Sequence, residues 1–192
     1  MPTDKELVLE LQRGSLEALG FIYDRHQKMV YRTALVITGD PESAADLVQD
    51  VFLRLYRFSD RIDPERPLEP WLYRITANLS YTWIKKNRRW LPSLEEVAEW
   101  LAGTVRVENN SSHEYNDDWH QINTAISALP AQQRMVIVLY YVNDLPLQEI
   151  SEILDVPVGT VKSRLHYGRE VLKRHLGVSP NERLSDLKYE FT

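Results

Sequence analysis

Apolar residues recur along this chain at spacings of three and four, the period that gives a helix one buried stripe. From Leu7 to Leu35 the positions Leu11, Leu19, Ile22, Tyr23, Val30 and Leu35 keep that period, with Gly14 and Ser15 breaking a short helix from a longer one. Asp40 and Pro41 announce the next helix, because aspartate caps a start and proline suits a first turn. Ala44, Leu47, Val48, Val51, Phe52 and Leu55 then form an apolar stripe, with Asp46, Gln49, Asp50, Arg54 and Arg57 opposite. After a charged, proline-containing loop, the pattern predicts a helix from Pro70 to about Asn87. It turns Leu72, Ile75, Leu79 and Trp83 inward and Trp71, Arg74, Asn78, Tyr81 and Lys85 outward. Regularity fails from Leu91 to Trp119, where LEEVAEWLAG could still form a short helix. It returns with Ile122, Ala125, Ile126 and Leu129, pauses at Pro130, and continues in a dense apolar helix from Arg134 to Tyr141. The expected fold is all-α. Two small helical domains, 1–90 and 119–177, are joined by a flexible linker, 91–118, and followed by a tail, 178–192.

The most specific pattern is PLQEISEILDVPVGTVKSRLHYGREVLKR, residues 146–174. Leu147, Ile150 and Leu154 share one face of a first short helix, and Asp155 tolerates the left-handed backbone of a tight corner. Ser151 is small where two helices approach, and Val156, Val161, Leu165 and Leu172 give the second helix its own apolar face. Opposite that face lie Thr160, Ser163 and Tyr167, flanked by Lys162, Arg164, His166 and Arg169. Hydrogen-bonding groups mixed with cations suit base edges and phosphates, so the segment reads as a helix-turn-helix for duplex DNA. A plain helical hairpin with a solvated basic face carries the same pattern, and this segment alone leaves both readings open.

The predicted helix before the linker adds a second surface of this kind. Trp71, Arg74, Asn78, Tyr81 and Lys85 combine rings, cations and an amide, the set that single-stranded nucleic acid uses for stacking and charge. Periodicity equally allows Trp71 and Tyr81 to be core or rim aromatics.

Charge changes the picture. The chain of 192 residues carries a formal net charge of −5, unlike the basic domains that hold DNA unaided. Arg61, Arg66, Arg74, Lys85, Lys86, Arg88 and Arg89 form one basic region and the helix-turn-helix forms another. Between them Glu95, Glu96, Glu99, Glu108, Glu114, Asp117 and Asp118 face only Arg106. Two basic faces on an acidic connector bind DNA locally but weakly overall, so a partner is expected to supply affinity. Cysteine is absent, which removes disulfides, thiolate metal sites and cysteine nucleophiles. No apolar run approaches a membrane span, and MPTDKELVLELQRG lacks the basic start and apolar block of a signal peptide, so a cytoplasmic protein is expected. His113 and His120 bracket Glu114, Asp117 and Asp118 at irregular spacing, and no metal or other cofactor is expected. No glycine-rich phosphate loop or nucleophile motif argues for an enzyme.

With both halves in view, the chain from Glu6 to Leu176 resembles the bacterial sigma factors, in particular the extracytoplasmic-function group that keeps only conserved regions 2 and 4. AADLVQDVFLRLYR, residues 44–57, is similar to that family's polymerase-binding helix, and PWLYRITANLS, residues 70–80, to the helix beside its promoter-melting loop. LPAQQRMVIVLYYVNDLPLQEISEILDVPVGTVKSRLHYGREVLKRHL is similar to region 4 over its whole length. The resemblance implies a partner, core RNA polymerase, met through its largest subunit and the flap of its second subunit. It also implies promoter DNA read at −10 and −35 elements, and an anti-sigma protein as a regulator. It implies polymerase contact at Asp46, Gln49, Asp50, Leu53 and Arg54, and capture of an extruded −10 base by Arg61, Ile62, Asp63 and Asn78. At −35 it implies base readout by Lys162, Ser163 and His166 and phosphate contact by Thr160, Arg164 and Arg169. Two positions depart from the family pattern. Thr82 stands where an acidic residue is common, and Ile62 where some members carry an aromatic, which puts the −10 preference in doubt.

The rival class is a helix-turn-helix regulator that binds DNA without polymerase. The two differ in one expectation: a regulator binds its duplex site alone, as a dimer, whereas a sigma factor binds poorly until core polymerase is added.

Overall fold

The computed structural model describes residues 2–87 and 114–176, and side chains from Gln121 onward in the second stretch. Eight α-helices make up most of these residues: α1 (Asp4–Gln12), α2 (Leu16–Thr38), α3 (Pro41–Arg57), α4 (Leu68–Asn87), α5 (Glu114–Ser127), α6 (Ala131–Tyr141), α7 (Leu147–Leu154) and α8 (Val158–Leu176). A 3-10 turn, Ser59–Arg61, lies between α3 and α4. The all-α expectation holds among the described residues, and no helix in them is long and apolar enough to cross a membrane.

Local chemistry sets the helix ends. Thr3 and Glu6 form a reciprocal capping box on α1, and the Ser15 hydroxyl accepts from the Ala18 N–H at 3.2 Å to start α2. Gly39 ends α2 in the left-handed conformation, φ +75°, its N–H reaching the Leu35 carbonyl at 2.7 Å. One residue later the Asp40 carboxylate accepts from the Ser43 N–H at 2.9 Å, with Pro41 in the first turn of α3. Hydrogen bonding from the Ser43 side chain first, and from its N–H as well, holds the Asp40 carboxyl below its ordinary value. The cap therefore stabilises the fold above the usual aspartate range and fades as pH falls through it. Asp40→Ala is expected to cost about 1 kcal/mol at neutral pH. In urea titrations the gap from wild type is expected to close below about pH 4; a constant gap would contradict the assignment.

Helices α1 to α4 enclose a core in which Leu7, Leu11, Ile22, Val51, Leu55, Leu68 and Leu72 are almost inaccessible. The stripe expected on α3 is buried at every named position, whereas Tyr23, counted as apolar periodicity on α2, is exposed. A second core spans both modules. Val36 and Ile37 of α2 and Tyr73, Ala77 and Ile84 of α4 join Ile122, Ile126, Ile137, Leu139, Ile150 and Leu172 in one cluster. The α1–α4 and α5–α8 modules thus pack directly on each other.

That packing explains the other differences. Helix α4 begins at Leu68, with Pro70 inside its first turn, and it is buried on two sides. Leu72 faces the first core as expected, but Ile75, Leu79 and Trp83 are only half-buried, while Tyr73, Thr76, Ala77, Ser80 and Ile84 are buried. Residues 114–118, expected as linker, open α5. The rest of the expected linker, including LEEVAEWLAG and His113, and the tail fall outside the described residues, as does the side chain of His120.

Candidate nucleic-acid interface

Three polar surfaces emerge from these elements. The first is the outer face of α3, where Asp46, Gln49, Asp50, Leu53 and Arg54 are all exposed, Leu53 at 52%. Nothing in the described residues covers it, because the apolar stripe holds the helix down from the other side.

The second is a groove of about 410 Å³ between the 59–67 loop, α4 and α7, lined by Arg61, Ile62, Asp63, Arg66, Pro67, Pro70, Trp71, Arg74, Glu152 and Ile153. Its volume lies in the ~300–1,000 Å³ range of small-ligand pockets. The loop is positioned from a distance: the Gln12 amide donates to the Ser59 carbonyl at 3.0 Å and the Ile62 carbonyl at 2.9 Å. Ile62 is buried beneath it, while Arg61, Asp63 and Arg66 stand exposed, and Asp63 accepts from the Glu65 N–H at 3.0 Å to hold the turn. Sequence reasoning found five of these positions and missed Arg66, Pro67, Pro70, Glu152 and Ile153 as groove walls. The signal for Arg66 and Pro67 was their place in the loop beside Asp63.

Helix α4 does not present the free outward face expected of it. Trp71 and Tyr81 are half-buried and pack against the two cores. Arg74 is exposed yet engaged, giving Nε to the Ile153 carbonyl at 3.1 Å and an Nη to that of Glu152. The Lys85 ammonium lies 4.7 Å from the Tyr81 ring centroid. Hydrogen bonding to Lys85 first, and also to Gln132 of α6, pulls the Tyr81 phenol below its ordinary value. Asn78 is exposed one turn beyond Arg74, and the Thr82 hydroxyl is turned back onto the Asn78 carbonyl at 2.8 Å. The physical reason is the second module, which occupies part of what the pattern assigned to solvent.

The third surface is the helix-turn-helix. Asp155 adopts the left-handed corner, φ 52° and ψ 51°, and the Ser151 hydroxyl donates to the Val156 carbonyl at 2.6 Å, locking the turn. Ile150, Ile153, Val161, Leu165 and Leu172 are buried. Lys162, Ser163, His166 and Tyr167 are exposed on α8, Tyr167 at 60%. Thr160 is half-buried, and Arg164 reaches the Gln132 side chain at 3.0 Å. Arg169 is a strut: its Nε donates to the Tyr141 hydroxyl at 2.7 Å and its guanidinium lies over the Tyr140 and Tyr141 rings. Its position is set by α6 rather than by solvent.

One further cluster brings ligand-type atoms together. Asp4, His26 and Glu69 lie within 4.8 Å of one another, but Asp4 already pairs with Arg25 and with His26 at 2.9 Å. Those two contacts tie the start of α1 to α2.

Comparison with known proteins accounts for both modules. The sequence profile of Sigma-70 region 2 matches residues 22–90, and that of Sigma-70, region 4 matches residues 119–172. The ECF RNA polymerase sigma factor SigW of Bacillus subtilis is 34% identical over 179 residues, covering 90% of this chain and 96% of that protein. The ECF RNA polymerase sigma-E factor of Escherichia coli is 31% identical, covering 88% and 92%. Among solved structures, CnrH in complex with the cytosolic domain of CnrY is similar with a TM-score of 0.67 at 22% identity, covering 91% of this chain and 97% of that one. The sigma factor RpoE of Bartonella quintana, in complex with the anti-sigma factor NepR, is similar with a TM-score of 0.58 at 24% identity, covering 81% and 98%. Two family regions in order, on helices with the geometry above, lead to one conclusion: the chain belongs to the sigma-70 family of RNA polymerase sigma factors, within its ECF group.

Proposed function

We propose that this chain docks on core polymerase through the α3 face and directs it to promoters in the cytoplasm, with no bond-changing chemistry of its own. Region 2, residues 1–90, engages the largest subunit, and region 4, residues 119–177, engages the flap of the second subunit. The groove of Arg61, Ile62, Asp63, Trp71, Arg74 and Asn78, with Tyr81 and Lys85 along α4, takes a −10 base extruded from an opening duplex. Flipping a base costs only a few kcal/mol and least where pairing is already lost, so a loop groove suffices. Helix α8 reads the −35 major groove with Lys162, Ser163 and His166, with Tyr167 beside them and Thr160, Arg164 and Arg169 toward phosphates. A protein inhibitor covering these faces, of the anti-sigma kind, is part of the proposal on family resemblance.

One observation supports the reading: the exposed face of α3, the groove and the exposed face of α8 are three distinct surfaces, each built from residues inside the two matched regions. Selection of promoters from a randomised library by the chain with core polymerase tests it. Lys162→Ala or Ser163→Ala is expected to relax preference at −35 by about 1–3 kcal/mol per lost base contact while leaving the −10 preference unchanged. An unchanged −35 preference would move base readout off this face.

A further inference from the structure

The loop that carries Arg61, Ile62 and Asp63 is held by a helix outside the matched regions: the profile of region 2 begins at residue 22, whereas α1 ends at Gln12. Lys5, Val8 and Gln12 are spaced three and four apart, which puts them in one stripe along α1. That stripe meets the loop at both ends. At one end the Gln12 Nε2 donates to the Ser59 carbonyl at 3.0 Å and to the Ile62 carbonyl at 2.9 Å, so a single amide spans the 3-10 turn whose last residue is Arg61. At the other end the Lys5 ammonium meets the Glu65 carboxylate at 2.6 Å. Val8 is buried between them.

The two contacts differ in weight. Lys5 and Glu65 are exposed, and an ion pair of that kind is screened and weak. The Gln12 bonds are partly buried, and the Ser59 and Ile62 residues that accept them are buried, so water is a poor substitute for the lost donor. The helix behind Gln12 is firmly based. Leu7, Val8 and Leu11 sit in the first core, and Asp4 pairs with Arg25 and, at 2.9 Å, with His26. On the loop side, the Arg61 N–H donates to the Phe58 carbonyl and the Ile62 N–H to the Ser59 carbonyl, both at 2.9 Å. The Ser59 carbonyl thus accepts from the turn and from α1 together. With the Ile62 side chain drawn into the core, Arg61 and Asp63 on either side of it are left exposed.

We infer that Gln12 is a positioning residue for promoter opening: by clamping the Ser59 and Ile62 carbonyls from α1, it fixes the turn that presents Arg61 and Asp63 to the −10 base. Both hydrogens of its amide are engaged by the loop backbone, so it acts through the turn and not by touching DNA. The inference rests on the reading of the groove as the −10 site.

Gln12→Met tests it, because methionine keeps the length and helix propensity of the side chain and removes its donors. In the free chain, hydrogen exchange of the Arg61 and Ile62 amides is expected to quicken by about 3- to 10-fold, while that of the α3 amides is unchanged. With core polymerase, opening is expected to fall by about 3- to 10-fold and base preference at −10 to relax, with polymerase affinity and −35 preference retained. Gln12→Ala, which leaves no thioether to repack the site, is expected to give the same pattern. Unchanged loop exchange in both variants would overturn the inference. So would an unchanged −10 preference in an assay where Arg61→Ala alters it. Equal loss of opening, −35 preference and polymerase affinity would also overturn it, since that is the mark of a damaged fold. If Arg61→Ala and Asn78→Ala both leave opening and −10 preference unchanged, the reading of the groove itself fails.

Discussion

Asn78→Ala is expected to lower promoter opening by about tenfold or more and to leave the affinity for core polymerase unchanged. Asn78 is exposed on α4 and carries both a donor and an acceptor, the complement that reads a base edge. Loss of a good base contact is worth about 1–3 kcal/mol, which sets the scale. Alanine is also the better helix former, so the change does not act by weakening α4. Among the proposed −10 residues this one separates function from structure most cleanly. Ile62 is buried, Trp71 packs on the first core, and Arg74 also bonds the Ile153 carbonyl of α7. Stopped-flow fluorescence of a probe in the melting region, with polymerase affinity measured in parallel, checks it. Equal loss of opening and polymerase binding would defeat the assignment.

The largest effect on stability is expected at Gly168. A Cβ there would lie 2.8 Å from Ile137 Cγ1 and 3.1 Å from its Cδ1, and Ile137 is fully buried. Helices α6 and α8 approach each other through this contact, so the space is filled from both sides. Alanine gains up to about 1 kcal/mol of helix propensity over glycine, against an overpacking cost of about 1–3 kcal/mol. Valine loses most of that gain and adds two more carbons. Gly168→Val is therefore expected to destabilise by about 3 kcal/mol, the upper end of the overpacking range. Adding Ile137→Ala is expected to recover part of it, because the two side chains compete for one volume. Urea denaturation with unchanged slope checks the size, and strict additivity of the two substitutions would contradict the contact.

The elements readable from sequence are those whose physics is local. The Asp40 cap, the break at Gly14 and Ser15, the α3 stripe and the left-handed corner at Asp155 each follow from residues within one or two turns, and each is found in the structure. The contacts that were not readable join residues far apart in sequence. On α4 a second stripe, Tyr73, Ala77, Ser80 and Ile84, has clean helical spacing. It went unread because two of its members are small and one polar, so hydrophobicity did not mark it. Arg74 read as an outward cation for nucleic acid and Arg134 only as the start of an apolar helix, since no pattern shows that their acceptors are carbonyls on other helices. The same limit applies to the groove. Sequence supplied Arg61, Ile62, Asp63, Trp71 and Arg74, but the walls from Glu152 and Ile153 exist only because α7 packs against α4.

The acidic balance of the chain bears on one expectation, that DNA recognition here depends on polymerase. Binding of the free chain to a promoter-length duplex, compared with binding and strand opening after core polymerase is added, tests this most directly. The account predicts weak, sequence-indifferent binding by the chain alone and promoter-specific opening only in the presence of core. Tight, sequence-specific binding of the duplex by the free chain, or no opening with core polymerase on any member of a promoter library, would contradict it.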